Sequence, residues 1–373
     1  MKKILMLILI IVVIFTIVAC QNEKDENDNS DTIEENIDKQ PEQKPEKTQE
    51  ETSTKEYEKP ITEEENYEGK DINPLTGLWI DEEVAKRRPV GIMISNIKVA
   101  QPQSGISQAD IVYETLVEGG ITRLFAIYQE FDAEKIGPVR SARHYYLDYA
   151  FDHDAIFVHY GESPQAKVAF KELKTPNLSS YALYSMWFKD SSRVAPHSTY
   201  TSYEGIINAW DKSGYRTNLK DQYEPKFQFS DEEISIETDI IANKVTLPFS
   251  HVNTYTSWFE FNNDIELYER VHMGGESHID VENNELLKYK NIIVQYTDIW
   301  GIPGDTEGRL EQKLISTGTG YYITNGKATE ITWEKKSHYE PTKYYDKEGN
   351  EIQINKGKTW IAIFPSNKEI ILE

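Results

Sequence analysis

The sequence predicts a mixed α/β domain over residues 71–235 followed by a smaller, mostly antiparallel, β-rich domain over 236–373, so the chain as a whole reads as α+β. Three observations carry this. In the first stretch, apolar runs of strand length alternate with segments of helical spacing, which is the pattern of an α/β layer. The second stretch holds four further apolar runs, punctuated by Asn325-Gly326 and Glu348-Gly349-Asn350, which are hairpin signals. With 373 residues and 38% apolar side chains, there is length for two or three domains and material for a core.

The residues ahead of the body give an address. Lys2 and Lys3 precede an apolar run of 16 residues, Ile4 to Ala19. A bilayer-spanning helix needs roughly 20, so residues 1–19 read as a secretory signal peptide. Ile17-Val18-Ala19-Cys20 has the form of a lipobox, where a cysteine thiol takes a diacylglyceryl group and the chain is cut just before it. Cys20 is therefore the expected lipidation site, with palmitate-type acyl chains. Two chains anchor stably where one does so marginally. It is also the single cysteine, which excludes intrachain disulfides and Cys-rich zinc sites. The expected location is the extracytoplasmic face of the cell membrane.

Residues 20–70 are expected to be the lipidated cysteine and a disordered acidic tether. Positions 21–70 carry 18 acidic and 7 basic side chains and almost no apolar ones. Such a segment cannot bury enough surface to offset its ordering entropy. As a flexible coil it would span about 40 Å, a spacer between bilayer and body.

Within the body, Val90 to Ser95 reads as a strand. Ile111 to Val117 and Leu124 to Gln129 read as two more, with Gly119-Gly120 as the turn between them. Ser141 to Ala150 and Pro164 to Leu173 have helical spacing, and Asp154 to His159 reads as a buried strand ending before Gly161. Further on, Ile292 to Tyr296, Gly320 to Ile323, Ile331 to Trp333 and Trp360 to Phe364 are strand-like.

The net charge of -23, from 63 acidic against 40 basic residues, argues against nucleic acid as a partner, because phosphate neutralisation needs excess Lys and Arg. Six of the nine arginines nevertheless lie between Arg87 and Arg193. Arginine offers a planar fork for carboxylate or phosphate. Three groups stand out. In Gly137-Pro138-Val139-Arg140-Ser141-Ala142-Arg143-His144, Ser141 is placed to cap a helix whose N-terminus suits an anion, with Arg140 and Arg143 one turn apart. In His159-Tyr160-Gly161-Glu162-Ser163-Pro164, His159 falls at the carboxyl end of a strand, where open α/β sheets bind ligands. Ser191-Ser192-Arg193-Val194-Ala195-Pro196-His197-Ser198 combines Arg, His and hydroxyls on a loop. The expected ligand site is Arg140, Ser141, Arg143, His159, Arg193 and His197, and the ligand is anionic or polyhydroxylated. His272, His278 and Asp280 form a fourth polar group, but their spacing fits no strong metal signature. Neither a metal nor a cofactor is expected. No Gly-x-Ser-x-Gly elbow, P-loop or dinucleotide fingerprint is present.

Several runs resemble the YerB-like lipoprotein family. They are Asn73-Pro74-Leu75-Thr76-Gly77-Leu78, Gln101-Pro102-Gln103-Ser104-Gly105, Ala109-Asp110-Ile111-Val112-Tyr113-Glu114, Glu118-Gly119-Gly120-Ile121-Thr122-Arg123, Ile136-Gly137-Pro138-Val139-Arg140-Ser141-Ala142-Arg143, Ala195-Pro196-His197 and Gly357-Lys358-Thr359-Trp360. The resemblance covers nearly all of 71–373. It implies a surface lipoprotein of Gram-positive bacteria with a two-part ectodomain, and it brings no catalytic residues with it. The leading expectation is binding of an anionic or glycan cell-envelope component, such as a wall polymer, in an Arg/His-lined cleft. One alternative is a hydrolase or transferase acting on wall glycan or a phosphodiester, with Arg140, Arg143 and Arg193 stabilising charge and His159 or His197 as acid and base. The other is a scaffold for a membrane-bound cell-wall enzyme.

Overall fold

Short, nearly continuous apolar runs build the body around one large sheet, whose central strands are buried along their whole length. The computed structural model describes residues 67–179, 184–250 and 256–373. The expectations for the signal peptide, Cys20 and the tether up to residue 66 therefore lie outside the described residues. Among those residues, no helix is long and apolar enough to cross a membrane.

The first stretch supplies β1 (Val90–Ser95), β2 (Ile111–Leu116), β3 (Thr122–Tyr128), β4 (Ile156–His159) and β5 (Asn177–Ser179). The second supplies β6 (Lys244–Leu247), β7 (Ser257–Asn262), β8 (Leu267–Val271), β9 (Lys288–Tyr289) and β10 (Asn291–Thr297). It continues with β11 (Thr317–Thr324), β12 (Lys327–Glu334), β13 (Lys343–Tyr345), β14 (Thr359–Pro365) and β15 (Ile371–Leu372). The helices are α1 (Glu82–Lys86), α2 (Tyr146–Phe151), α3 (Pro164–Glu172) and α4 (Tyr203–Ser213).

The main sheet has the order β13-β12-β11-β10-β14-β2-β3-β1-β4-β5. It is mixed: β14 runs parallel to both β10 and β2, and β4 runs parallel to β1 and β5. Because β14 enters between β10 and β2, the sheet passes without a break across residue 235, and the described residues cluster as one compact unit. The smaller sheet, β9-β8-β7-β6-β15, is antiparallel throughout.

Successive side chains of a strand point to opposite faces, and both faces of the main sheet are covered. Ile92, Ile94, Val112, Leu124, Trp360 and Ala362 pack with Val245, Phe259 and Tyr268 of the smaller sheet and with Ile206 and Trp210 of α4. Met93, Tyr113, Phe125, Phe157, Ile361 and Ile363 pack with Tyr146 and Leu147 of α2 and with Ala166 and Phe170 of α3. Asn325 and Gly326, with φ of 50° and 71°, turn β11 into β12 with Thr324 opposite Lys327, the geometry that Asn-Gly favours. The helix at Pro164 also forms as expected: Ser163 Oγ accepts from Ala166 N at 3.1 Å, and proline occupies the first turn.

The helix expected over 141–150 is confined to Tyr146–Phe151. The reason lies in the backbone. Val139 N donates to Thr199 O at 2.8 Å, Arg140 N to Met93 O at 2.9 Å and Ala142 N to Gly161 O at 2.9 Å. These bonds hold residues 136–142 extended along the sheet edge, and the carbonyls that would open the helix are spent elsewhere, Ser141 O on Arg123 Nη1 and Ala142 O on Ser163 N at 3.1 Å.

Candidate functional site

The parallel strands β1, β2 and β4 end at Ser95, Leu116 and His159, all on one edge of the main sheet, where ligands of open α/β sheets bind. The extended segment 136–142 crosses this edge and carries Arg140. The loop after β2 brings Glu118, β3 begins with Thr122 and Arg123, and the 190–198 loop brings Arg193 and His197.

Arg123 is buried and its Nη1 donates to Ser141 O at 2.6 Å. Arg143 grips Glu118 with both arms of its fork, Nε to Oε2 at 2.9 Å and Nη2 to Oε1, and its Nη1 donates to Ala142 O at 3.0 Å. Burial works against the Glu118 charge, yet Arg143 outweighs it and draws that carboxyl below the usual range. Arg140 is half-buried, and its Nη1 donates to Pro196 O at 3.1 Å. Burial, then the charge of Arg143, makes its guanidinium easier to deprotonate than usual. His197 is half-buried with Nδ1 at 3.4 Å from Ser95 Oγ. Burial holds its imidazole below the ordinary value, and the fields of Arg140, Arg123 and Arg193 add to this. The peptide bonds before Pro102, Pro138 and Pro196 are cis.

Of the expected residues, the fold thus brings Arg140, Arg143, Arg193 and His197 into one electrostatic neighbourhood, although Arg143 already has its carboxylate. Arg193 also has a structural task. It donates to Val99 O and Gln101 O at 3.2 Å and to Pro102 O at 2.9 Å, tying two loops together.

Ser141 and His159 stand apart. Ser141 caps no helix, since none begins there, and its Oγ donates to Tyr160 O at 3.3 Å. His159 is enclosed in the core. Its Nδ1 lies 2.7 Å from Gly161 O, its Nε2 lies 3.3 Å from Asn177 Oδ1, and its ring stacks on Phe170 at 4.8 Å. Burial lowers its pKa. The fourth polar group is likewise committed. His278 sits between Arg270 at 3.0 Å and Gln103 at 2.6 Å, a guanidinium neighbour that opposes a cation. Asp280 holds a turn by accepting from Gly105 N at 3.0 Å and from Ser107 N at 2.9 Å.

Reading the sequence did not single out Arg123 or Glu118. The signal was available for Arg123, the one charged residue of an otherwise mostly apolar strand. It also missed a hollow of about 290 Å³ between α2, α3 and the segment 311–315. Two imidazole–carboxylate pairs face it: His144 Nε2 with Glu311 at 2.9 Å and His338 Nδ1 with Asp148 at 2.7 Å. The bond to Asp148 raises the pKa of His338. These partners lie far apart in sequence, so no local pattern announces them.

Residues 75–216 match the family described as "Protein of unknown function (DUF3048) N-terminal domain", and residues 245–361 match the DUF3048 C-terminal domain. The chain is 36% identical over 298 residues to a Bacillus subtilis (strain 168) protein named "Putative lipoprotein YerB", covering 78% of this chain and 86% of that one. The crystal structure of the YerB protein from Bacillus subtilis aligns with a TM-score of 0.71 at 31% identity, over 81% of this chain and 99% of that one.

Proposed function

We propose a function for this chain, which belongs to the DUF3048 family: it is a lipoprotein held at the outer face of the cell membrane through Cys20, and it binds an anionic component of the cell envelope. The lipobox and the lipoprotein relative support the anchor. The binding residues are Arg140 and His197, with Arg123 and Arg193 supplying field and position. One observation carries the reading. Four guanidinium groups and an imidazole gather at the sheet edge with Glu118 as their close carboxylate, in a chain of net charge -23. Long-range attraction cannot recruit an anion to so acidic a protein. Recognition must come from local charge-assisted hydrogen bonds, which the free donors of Arg140 supply.

Retention of the full chain on purified polyol-phosphate wall polymer, against a neutral glycan, tests this. The Arg140→Ala/His197→Ala variant is expected to lose roughly tenfold or more in apparent affinity. Undiminished retention of that variant would overturn the reading.

A second reading, a hydrolase or transferase acting on wall glycan or a phosphodiester, draws on the hollow faced by His144 and His338. A carboxylate on one ring nitrogen fixes the tautomer and leaves the other nitrogen able to take a proton. This reading expects soluble fragments from wall substrate, lost in His338→Gln. Equal release by that variant would remove His338 from any mechanism.

A further inference from the structure

A second hollow, of about 450 Å³, lies between α3 and the edge strand β5, lined by Thr175 just ahead of β5 and by Asn177 and Ser179 within it. Three lysines border it. Lys167 and Lys171 are one turn apart on α3, so they share a face, and Lys174 follows the helix end. All three are exposed, and among the described residues none of their ammonium groups has an ion pair or hydrogen bond. By contrast, Lys135, Lys226, Lys290, Lys335, Lys343 and Lys356 each meet a carboxylate.

The floor adds a second, independent observation. Thr175 is 3% exposed and lines the hollow, yet its hydroxyl has no hydrogen-bond partner. Buried hydroxyls are normally satisfied, and one that is not calls for a missing partner. Beside it Asn177 is fixed in place, with Nδ2 donating to Thr175 O at 3.1 Å and Oδ1 at 3.3 Å from His159 Nε2. The carboxylate on the rim, Glu162, lies 3.9 Å from His159 Nδ1, so cations outnumber anions three to one around the hollow.

We propose that this hollow is a separate binding site for a polyol phosphate, the phosphate lying on the ammonium groups of Lys167, Lys171 and Lys174 and a ligand hydroxyl completing the hydrogen bonding of Thr175. None of these residues belongs to the arginine cluster.

The test is isothermal titration of the full chain, purified in detergent, with glycerol 3-phosphate and with inorganic phosphate. It is run in the Arg140→Ala/His197→Ala background so that the arginine cluster does not report. Glycerol 3-phosphate is expected to bind there, and more tightly than phosphate. The further change Lys167→Ala/Lys171→Ala/Lys174→Ala is expected to weaken it by roughly tenfold or more. Thr175→Val is expected to abolish the preference for the polyol, while Thr175→Ser, which keeps the hydroxyl, retains it. Equal binding after removal of the three lysines overturns the site. A preference that survives Thr175→Val in a folded variant overturns the role of the hydroxyl. Loss of binding in the background alone shows that the arginine cluster was the sole site and also overturns the proposal.

Discussion

Two gatherings of cations in this molecule use the same chemistry to opposite ends. Around Asp152, Lys226 and Lys335 are only 1% exposed and each ammonium lies 2.6 Å from the carboxylate. Thr342 N donates to the same carboxylate at 3.0 Å, and Glu340 O accepts from Lys335 at 2.7 Å. Burial opposes the Asp152 charge, but Lys226 and Lys335 overcome it and hold the carboxyl far below its usual range. Burial lowers Lys226 to about 8. This node fastens the end of α2 to the segments around 226 and 335–342. At the sheet edge, by contrast, Arg140 is half-buried and donates to a carbonyl, that of Pro196. A buried cation with its carboxylate is a strut. A cation at an open edge, in excess over carboxylates, is available to a ligand.

The comparison is broken most severely at the strut. Asp152→Ala leaves two ammonium groups buried without a counter-charge, and urea unfolding should show a loss of about 3–5 kcal/mol. Arg140→Ala should stay within about 0.5 kcal/mol of the parent, as surface changes do. Equal losses would erase the distinction.

Acid sharpens the same contrast through His153, which is buried beside the node with Nε2 at 2.8 Å from Tyr113 OH. Burial, then the charge of Lys226, lowers its pKa to about 3. An unfolded histidine protonates near 6.5, so as pH falls the unfolded chain takes up the proton first. This contribution to stability is therefore whole above about pH 6.5 and is lost towards pH 3, at up to about 1.4 kcal/mol per pH unit. The slope of unfolding free energy against pH should flatten in His153→Gln. An unchanged slope there would assign the acid sensitivity elsewhere.

Arg193 stands between the two cases, since it holds three carbonyls from one loop while facing His197. Arg193→Lys cannot reproduce the fork and should cost about 1–2 kcal/mol in thermal or urea unfolding, where a purely ligand-directed residue would cost nothing. The smallest effect is expected at Lys174, which has φ of 51° just past the end of α3. Glycine is the residue that this left-handed position favours. Lys174→Gly should raise stability by about 0.5–1 kcal/mol while weakening glycerol 3-phosphate binding, so stability and binding would move in opposite directions.

How much was legible in the sequence follows from the range of each force. The strands of the main sheet were legible because their apolar side chains crowd into short runs bounded by turn residues, as in Trp360 to Phe364. The insertion of β14 between β10 and β2 was not, since no local pattern encodes which strand lies beside which. The helix expected over 141–150 failed over its first half because Gly161, Ser163 and Arg123, distant in sequence, claim the backbone groups of Ser141 and Ala142. The site was legible in part for the same reason. Arg140, Arg193 and His197 stood out by residue type, but the bond between Arg143 and Glu118 spans 25 positions and leaves no mark on either. His159 looked like a ligand residue by its place at a strand end, and only Phe170 stacked on its ring shows that it belongs to the core.

The central claim, that an anion lodges among Arg140, Arg123, Arg193 and His197, is tested most directly by following the ring protons of His197 through a pH titration by NMR, with and without a polyol-phosphate probe. The imidazole is held down by burial and by those guanidinium charges. A bound anion offsets their field, so its pKa should rise on adding the probe while that of His159, sealed against Phe170, stays where it was. A His197 value that does not move at millimolar probe, or one that moves equally in Arg140→Ala, would contradict the account.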